Sequence, residues 1–170
     1  MESGKRVLMA MALIVVALSV TAYATAIGGA SAVSTDEISV NYSLSTVDKF
    51  PTKSAVEENI GTIVLGNFSN AGLVENDNIR VRLELILDNP DIVKGLKSLV
   101  VEIGKASGGS TTGVVALLTP NTVYDEVVEK LGTGAGSITY NVKVIAVGGD
   151  KKLTDVSFRV RATAMVENMA

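Results

Sequence analysis

The sequence predicts an all-β fold, a jelly-roll-like antiparallel β-sandwich with two short helices in the connections, and three observations lead there. Apolar and polar residues alternate strictly over several runs, which puts one face of each run in a core and the other in water. About seven such runs follow one another, separated by short turn signals of Gly, Asn and Asp, as in sandwiches rather than βαβ folds. The chain is 47% hydrophobic but only 4% aromatic, so the core has to be built mainly from Val, Ile and Leu, residues that fit a pleated surface.

The chain opens on a basic start, Lys5 and Arg6, that runs directly into the apolar stretch Val7 to Val20. Small residues follow, with Ala-x-Ala at Ala22–Ala24, Ala24–Ala26 and Ala30–Ala32. A charged beginning, a short apolar core and a small-residue cleavage site make a secretory signal peptide, here residues 1–26, with the cut after Ala26. A rival reading keeps the apolar stretch on the mature chain, as an anchor or as the N-terminal helix of an archaeal type IV-like pilin cut beside Lys5-Arg6. The strongly apolar run is short for a span, and it decays into a Gly pair that does not favour a continuing helix. The expected location is therefore extracellular. Residues 27–170 are the size of one ordinary domain with a real core.

Ile38 to Ser45 alternates without a break and reads as the first strand of the domain, with Ile38, Val40, Tyr42 and Leu44 on one face. Gly61 to Ser69 reads as the second and ends at the turn signal Asn70-Ala71-Gly72. Ile79 to Leu87 is the third, its Arg80, Arg82 and Glu84 face turned to solvent. Asn89-Pro90 announces a first helix, with Asn as N-cap and Pro as first helical residue, ending near Gly95. Leu99 to Ile103 and Gly113 to Leu118 are strands around the loop Ser107 to Gly113. The second helix is expected from Thr122 to Leu131, with Val123, Val127 and Leu131 spaced by four and Gly132 as its left-handed terminator. Ser137 to Val147 and Leu153 to Met165 close the domain as a hairpin across Gly148-Gly149-Asp150-Lys151.

Composition excludes much chemistry. The chain has no histidine, cysteine or tryptophan, so the side chains most used for nucleophilic, acid-base and transition-metal work are missing and no disulfide can form. Its formal net charge of −3 becomes −4 when Glu2, Lys5 and Arg6 leave with the leader, and the remaining basic residues are scattered, which argues against a nucleic-acid partner. Asp125, Glu126 and Glu129 form the densest acidic cluster. A glycosidase could be built on paired carboxylates, but these read as the solvated face of a short surface helix. No phosphate-binding Gly loop and no His-Glu-x-x-His motif is present. The chain is expected not to be an enzyme and to take no cofactor, metal or small-molecule substrate. Glu75-Asn76-Asp77-Asn78 and Asp88 with Asp91 could offer oxygen atoms to calcium but lack a calcium-loop spacing, and both read as solvated turns. Asn41-Tyr42-Ser43 and Asn67-Phe68-Ser69 match the N-glycosylation acceptor pattern.

The weakly patterned start of residues 27–37, the alternating strand Ile38 to Ser45, the stretch Thr62 to Gly72 leading into Ile79 to Leu85, and the closing run Asp155 to Ala164 together resemble the TasA and camelysin-like group of extracellular fibre proteins, nearest within it to the archaeal bundling-pilus subunits. The resemblance implies a jelly-roll domain over residues 38–170 and a donor segment over 27–37. It also implies head-to-tail homopolymers, built when the N-terminal segment of one subunit supplies a strand to the next, with lateral contacts between filaments that support cell bundling, adhesion or a biofilm matrix. Ile27, Ala30, Ala32 and Val33 would then be the small apolar side chains of the donor. A monomeric or lattice-forming adhesion module is the contrasting expectation.

Overall fold

A computed structural model of the chain describes residues 13–18, 26–27, 30–43, 55–89, 96–107, 110–148 and 155–167. Among the described residues there are ten strands: β1 (Leu13–Leu18), β2 (Ala26–Ile27), β3 (Ala30–Ser43), β4 (Ala55–Leu65), β5 (Asn78–Leu87), β6 (Leu96–Ser107), β7 (Ser110–Leu118), β8 (Tyr124–Lys130), β9 (Ile138–Gly148) and β10 (Asp155–Glu167). All pairings among the described strands are antiparallel. One sheet runs β1-β3-β10-β5-β8 with β2 also on β3, and the other runs β4-β9-β6-β7.

Counted from β3, the first sheet takes the first, eighth, third and sixth strands, and the second takes the second, seventh, fourth and fifth. This is the order of an eight-stranded jelly roll made of two Greek keys. The expected β-sandwich of jelly-roll type is therefore what the chain forms. Strand alternation explains it locally: Ile79, Val81, Leu83 and Leu85 of β5 are buried, and so are Phe158, Val160, Ala162 and Ala164 of β10, with Val160, Ala162 and Ala164 in register with Leu85, Leu83 and Val81. The facing sheet contributes Ile63 and Leu65, Val101 and Ile103, and Tyr140, Val142 and Val144. Among the described residues, the aromatic side chains Phe68, Tyr140 and Phe158 are fully enclosed in this aliphatic core.

The expected helix from Thr122 to Leu131 is not formed. Tyr124–Lys130 is strand β8, paired with β5 from Glu84↔Tyr124 to Asn78↔Lys130. Val127 and Leu131 are four apart, a spacing that suits a helix face but equally one face of a strand, since four is also a multiple of two. The residue that decides between the two is Glu129, which lies on the same strand face and is buried. Gly132 is correspondingly extended rather than left-handed, and the left-handed position is Gly134 in a short 3-10 turn, Thr133–Ala135. The other expected helix, after Asn89-Pro90, falls at 90–95 and lies outside the described residues.

Strand boundaries differ as well. β4 begins at Ala55 and stops at Leu65, and Phe68 instead fills the core from the turn that follows. There Asn67 and Gly72 both take positive φ, 62° and 77°, to bring the chain round a 3-10 turn at Ser69–Ala71. β3 starts at Ala30, eight residues before the expected first strand. The expected boundary between a donor segment and the domain thus falls inside one continuous strand.

Candidate functional site at the first sheet edge

β3 is the strand on which the N-terminal residues meet the domain. On its inner side it follows β10 from Asp155↔Ser43 to Glu167↔Ala30, with a bulge that leaves Val33 without a register partner between Ala32↔Met165 and Ser34↔Ala164. Val33 packs half-buried against the core. The neighbouring strand β5 accompanies β10 only as far as Met165↔Arg80. Ala30 and Ser31 consequently pair with Glu167 and Val166 at an end of β10 that β5 does not reach, and with Ile27 and Ala26 of the two-residue β2. Of the four expected donor residues, Ala32 and Val33 are half-buried on β3, while Ile27 and Ala30 face each other in register across β2 and β3.

The other side of β3 carries β1. The register runs from Leu13↔Tyr42 to Leu18↔Glu37, so six residues of the expected leader cover Glu37 to Tyr42. Two of the covered residues, Ile38 and Val40, have buried side chains. Glu37 sits on the opposite face, 15% exposed, where Arg161 donates to its Oε2 at 2.8 Å and Arg159 to its Oε1 at 3.3 Å. Arg159 Nε also donates to Asp88 Oδ1 at 2.9 Å. This carboxylate pair, Asp88 first, holds the Arg159 guanidinium above its ordinary pKa. The face is neutralised by mutual pairing.

Sequence reasoning missed two polar residues on β3. Asp36 Oδ2 accepts from the Val64 backbone N–H at 2.8 Å, and Ser34 Oγ accepts from the Gly66 N–H at 3.0 Å. Both side chains reach across the seam between the sheets, Asp36 to a backbone donor of β4, an outermost strand of the second sheet, and Ser34 to one at Gly66 just beyond its end. The signal was present: continuing the Ile38, Val40 alternation backwards places Asp36 and Ser34 on the inward face, and an inward-pointing charge at a sheet edge is a device against further strand pairing.

A second polar cluster also escaped notice. Glu129, on the face expected to be solvated, lies between the sheets at 6% exposure, where Tyr140 donates its phenol proton to Glu129 Oε1 at 3.1 Å and Lys105 pairs with Oε2. Burial, then the Glu129 charge and hydrogen bond, push the Tyr140 phenol well above its usual range. Asp125 and Glu126 do remain exposed, so the three carboxylates do not converge on a common point.

Among the described residues no group of three or more acidic side chains is placed to share a cation. Asp77 instead closes its own turn, Oδ2 accepting from the Val74 N–H at 2.9 Å. Asn67 is exposed in its turn, and Asn41 lies on β3 opposite Ser157. No described helix is long and apolar enough to cross a membrane.

No protein-family model matches the chain, and no curated protein does. Among solved structures it is similar to CBM51 from Clostridium perfringens GH95 in complex with methyl-galactose, at 11% identity over 74% of this chain and 79% of that one, with a TM-score of 0.31. It is also similar to a carbohydrate-binding module of the β-sandwich superfamily described as promiscuous in specificity, at 11% identity over 91% of this chain, with a TM-score of 0.32. The chain spans about half the length of that second structure, 54% of it. At these values neither likeness carries an argument about what this chain binds.

Proposed function

We propose that this protein is a secreted structural subunit that polymerises into extracellular filaments, each subunit lending its N-terminal segment, Ile27 to about Thr35, as a strand to the next. It acts as no enzyme and takes no cofactor, and its partners are further copies of itself. The observation that carries the reading is the way the N-terminal segment is held. Beyond the Val33 bulge, Ala30 and Ser31 have only the end of β10 and the two-residue β2 as partners. Ala30 and Ser31 can therefore leave their own domain at small cost, whereas donation that runs on to Thr35 also gives up the pairing of Ala32, Ser34 and Thr35 with β10 and the Ser34 contact to Gly66.

Strand addition to a neighbour repays that cost. Each backbone hydrogen bond contributes about 0.5–1.5 kcal/mol net, and the apolar side chains Ile27, Ala30, Ala32 and Val33 add burial, so a junction gains on the order of 5–10 kcal/mol before association costs. A contact in which the donor and acceptor surfaces differ does not close on itself and grows head to tail. The missing chemistry of the chain, which has no histidine or cysteine, is consistent with a part whose work is mechanical.

The test is electron microscopy of the secreted material. Filaments are expected from the intact chain and none from a chain lacking residues 27–35. Filaments from the deletion variant would overturn strand donation from this segment.

A further inference from the structure

We infer that the outer edge of β3 from Glu37 to Tyr42 is the strand-accepting surface of the subunit, and that this chain's own leader strand, Leu13–Leu18, occupies it until the leader is cut away. The inference rests on the filament reading for its consequence, and on the pairing of β1 with β3 for its geometry.

The jelly roll has four outermost strands, and three of them are protected. β4 has its Val64 N–H taken by Asp36 and, just beyond its end, the Gly66 N–H taken by Ser34. β8 carries Asp125, Glu126 and Lys130, all exposed. β7 meets β6 with two register shifts, at Ile103/Gly104 and Lys105/Ala106, that twist and interrupt its line. Capping by side chains, charge on the strand and bulges are recognised ways of stopping an edge from templating another chain. Over Glu37 to Tyr42 β3 has no bulge and a single charged residue, Glu37. Its β10 side is in unbroken register there, from Arg161↔Glu37 to Val156↔Tyr42, and its one acidic residue is neutralised by Arg159 and Arg161. A stretch in regular register of this kind is what an extended peptide needs for strand addition.

What covers it is the leader. Six residues pair without a break, Val15 with Val40 and Ala17 with Ile38 among them. Sequence reading places the cut after Ala26, which lies between β1 and β3, so cleavage separates the covering strand from the edge it covers. In an antiparallel pair every second residue directs its N–H and C=O towards the partner, and these groups on Glu37 to Tyr42 become open when β1 departs. The occupant of this edge is thereby defined in chemical terms: an extended, uncharged segment. Leu13–Leu18 meets it before cleavage, and Ile27 to Thr35 of a neighbour, also uncharged, meets it afterwards. The subunit would accordingly be assembly-incompetent as a precursor and competent once cut.

The experiment uses the full-length chain with a specific protease site placed within 19–25. Amide hydrogen exchange at Glu37 to Tyr42 is measured on subunits held monomeric by dilution and checked by sedimentation, before the cut, after the cut and removal of the leader peptide, and after adding back a synthetic peptide of the Leu13–Leu18 sequence with a solubilising tail. Exchange of the β1-facing amides is expected to rise about 100-fold on removal and to fall again with the added peptide, since an open edge exchanges far faster than a paired one. The double variant Val15→Pro/Val16→Pro, which spoils β1 without touching the jelly roll, should exchange fast even uncut. Unchanged exchange across the cut, or no protection from the added peptide, overturns the inference. Electron microscopy of the same samples separates the two readings. An edge that opens on cutting without any filaments leaves the leader's cover standing and defeats the filament proposal. Filaments that form as readily from the uncut chain defeat the cover.

Discussion

Glu129 shows how much one residue can decide. A carboxylate enclosed between two sheets is costly unless it is paired and hydrogen-bonded, and here Tyr140 and Lys105 supply both. Removing it strands the Tyr140 hydroxyl in the core, so Glu129→Ala is expected to lose about 2–4 kcal/mol. Glu129→Gln keeps an acceptor for the phenol and should lose less, both read from urea unfolding. Tyr140 carries a pH consequence of definite sign. Its folded pKa is raised, so the folded protein keeps a proton that the unfolded chain gives up above its ordinary value of about 10. Stability from this group is complete below about pH 10 and falls above it, by about 1.4 kcal/mol per pH unit for one proton. Equilibrium unfolding between pH 8 and 11.5 checks this, and Tyr140→Phe should remove that component of the slope.

Among the elements, β6 and β7 are joined through a tight spot. A Cβ added at Gly104 would meet Thr111 Cγ2 at 2.3 Å and the Gly113 carbonyl oxygen at 3.1 Å. Gly104→Ala is therefore expected to cost about 1–3 kcal/mol by overpacking. Thr111→Ser removes the offending methyl while keeping the oxygen that accepts from Asn141 Nδ2 at 2.9 Å. The double variant should recover most of the loss, a coupling that a double-mutant cycle of urea midpoints would read. β3 has a different weak point, the Val33 bulge. Val33→Asp places a charge against the apolar core and should abolish filaments as seen by microscopy, whether the segment sits on its own domain or on a neighbour.

At the scale of the whole molecule, the eight-stranded domain and the N-terminal segment should prove separable. A chain lacking 27–33 retains every pairing of β3 with β10 from Ser34↔Ala164 to Ser43↔Asp155. It is expected to unfold in urea in one cooperative transition with a midpoint close to that of the undeleted subunit, while failing to assemble. Loss of the folded baseline in that variant would show the segment to be part of the core and not a detachable strand.

Much of this architecture was legible in the chain because alternation is a local property. Ile38 and Val40, Ile79 to Leu85 and Phe158 to Ala164 each declared a buried face before any partner was known. The absence of histidine and cysteine and the basic-apolar-small pattern of the first 32 residues were likewise readable residue by residue. What could not be read was the identity of the neighbour. The apolar spacing of Val127 and Leu131 fits helix and strand alike, and only the arrival of β5 on one side, with Tyr140 and Lys105 around Glu129, selects the strand. Nor does anything local say that Asp36 caps β4 or that Leu13–Leu18 lies along β3. Periodicity along the chain determined which residues would be buried. Which strand lies beside which, and therefore which edge is left open, was decided by tertiary structure, because hydrogen bonds between strands join residues that the sequence keeps far apart.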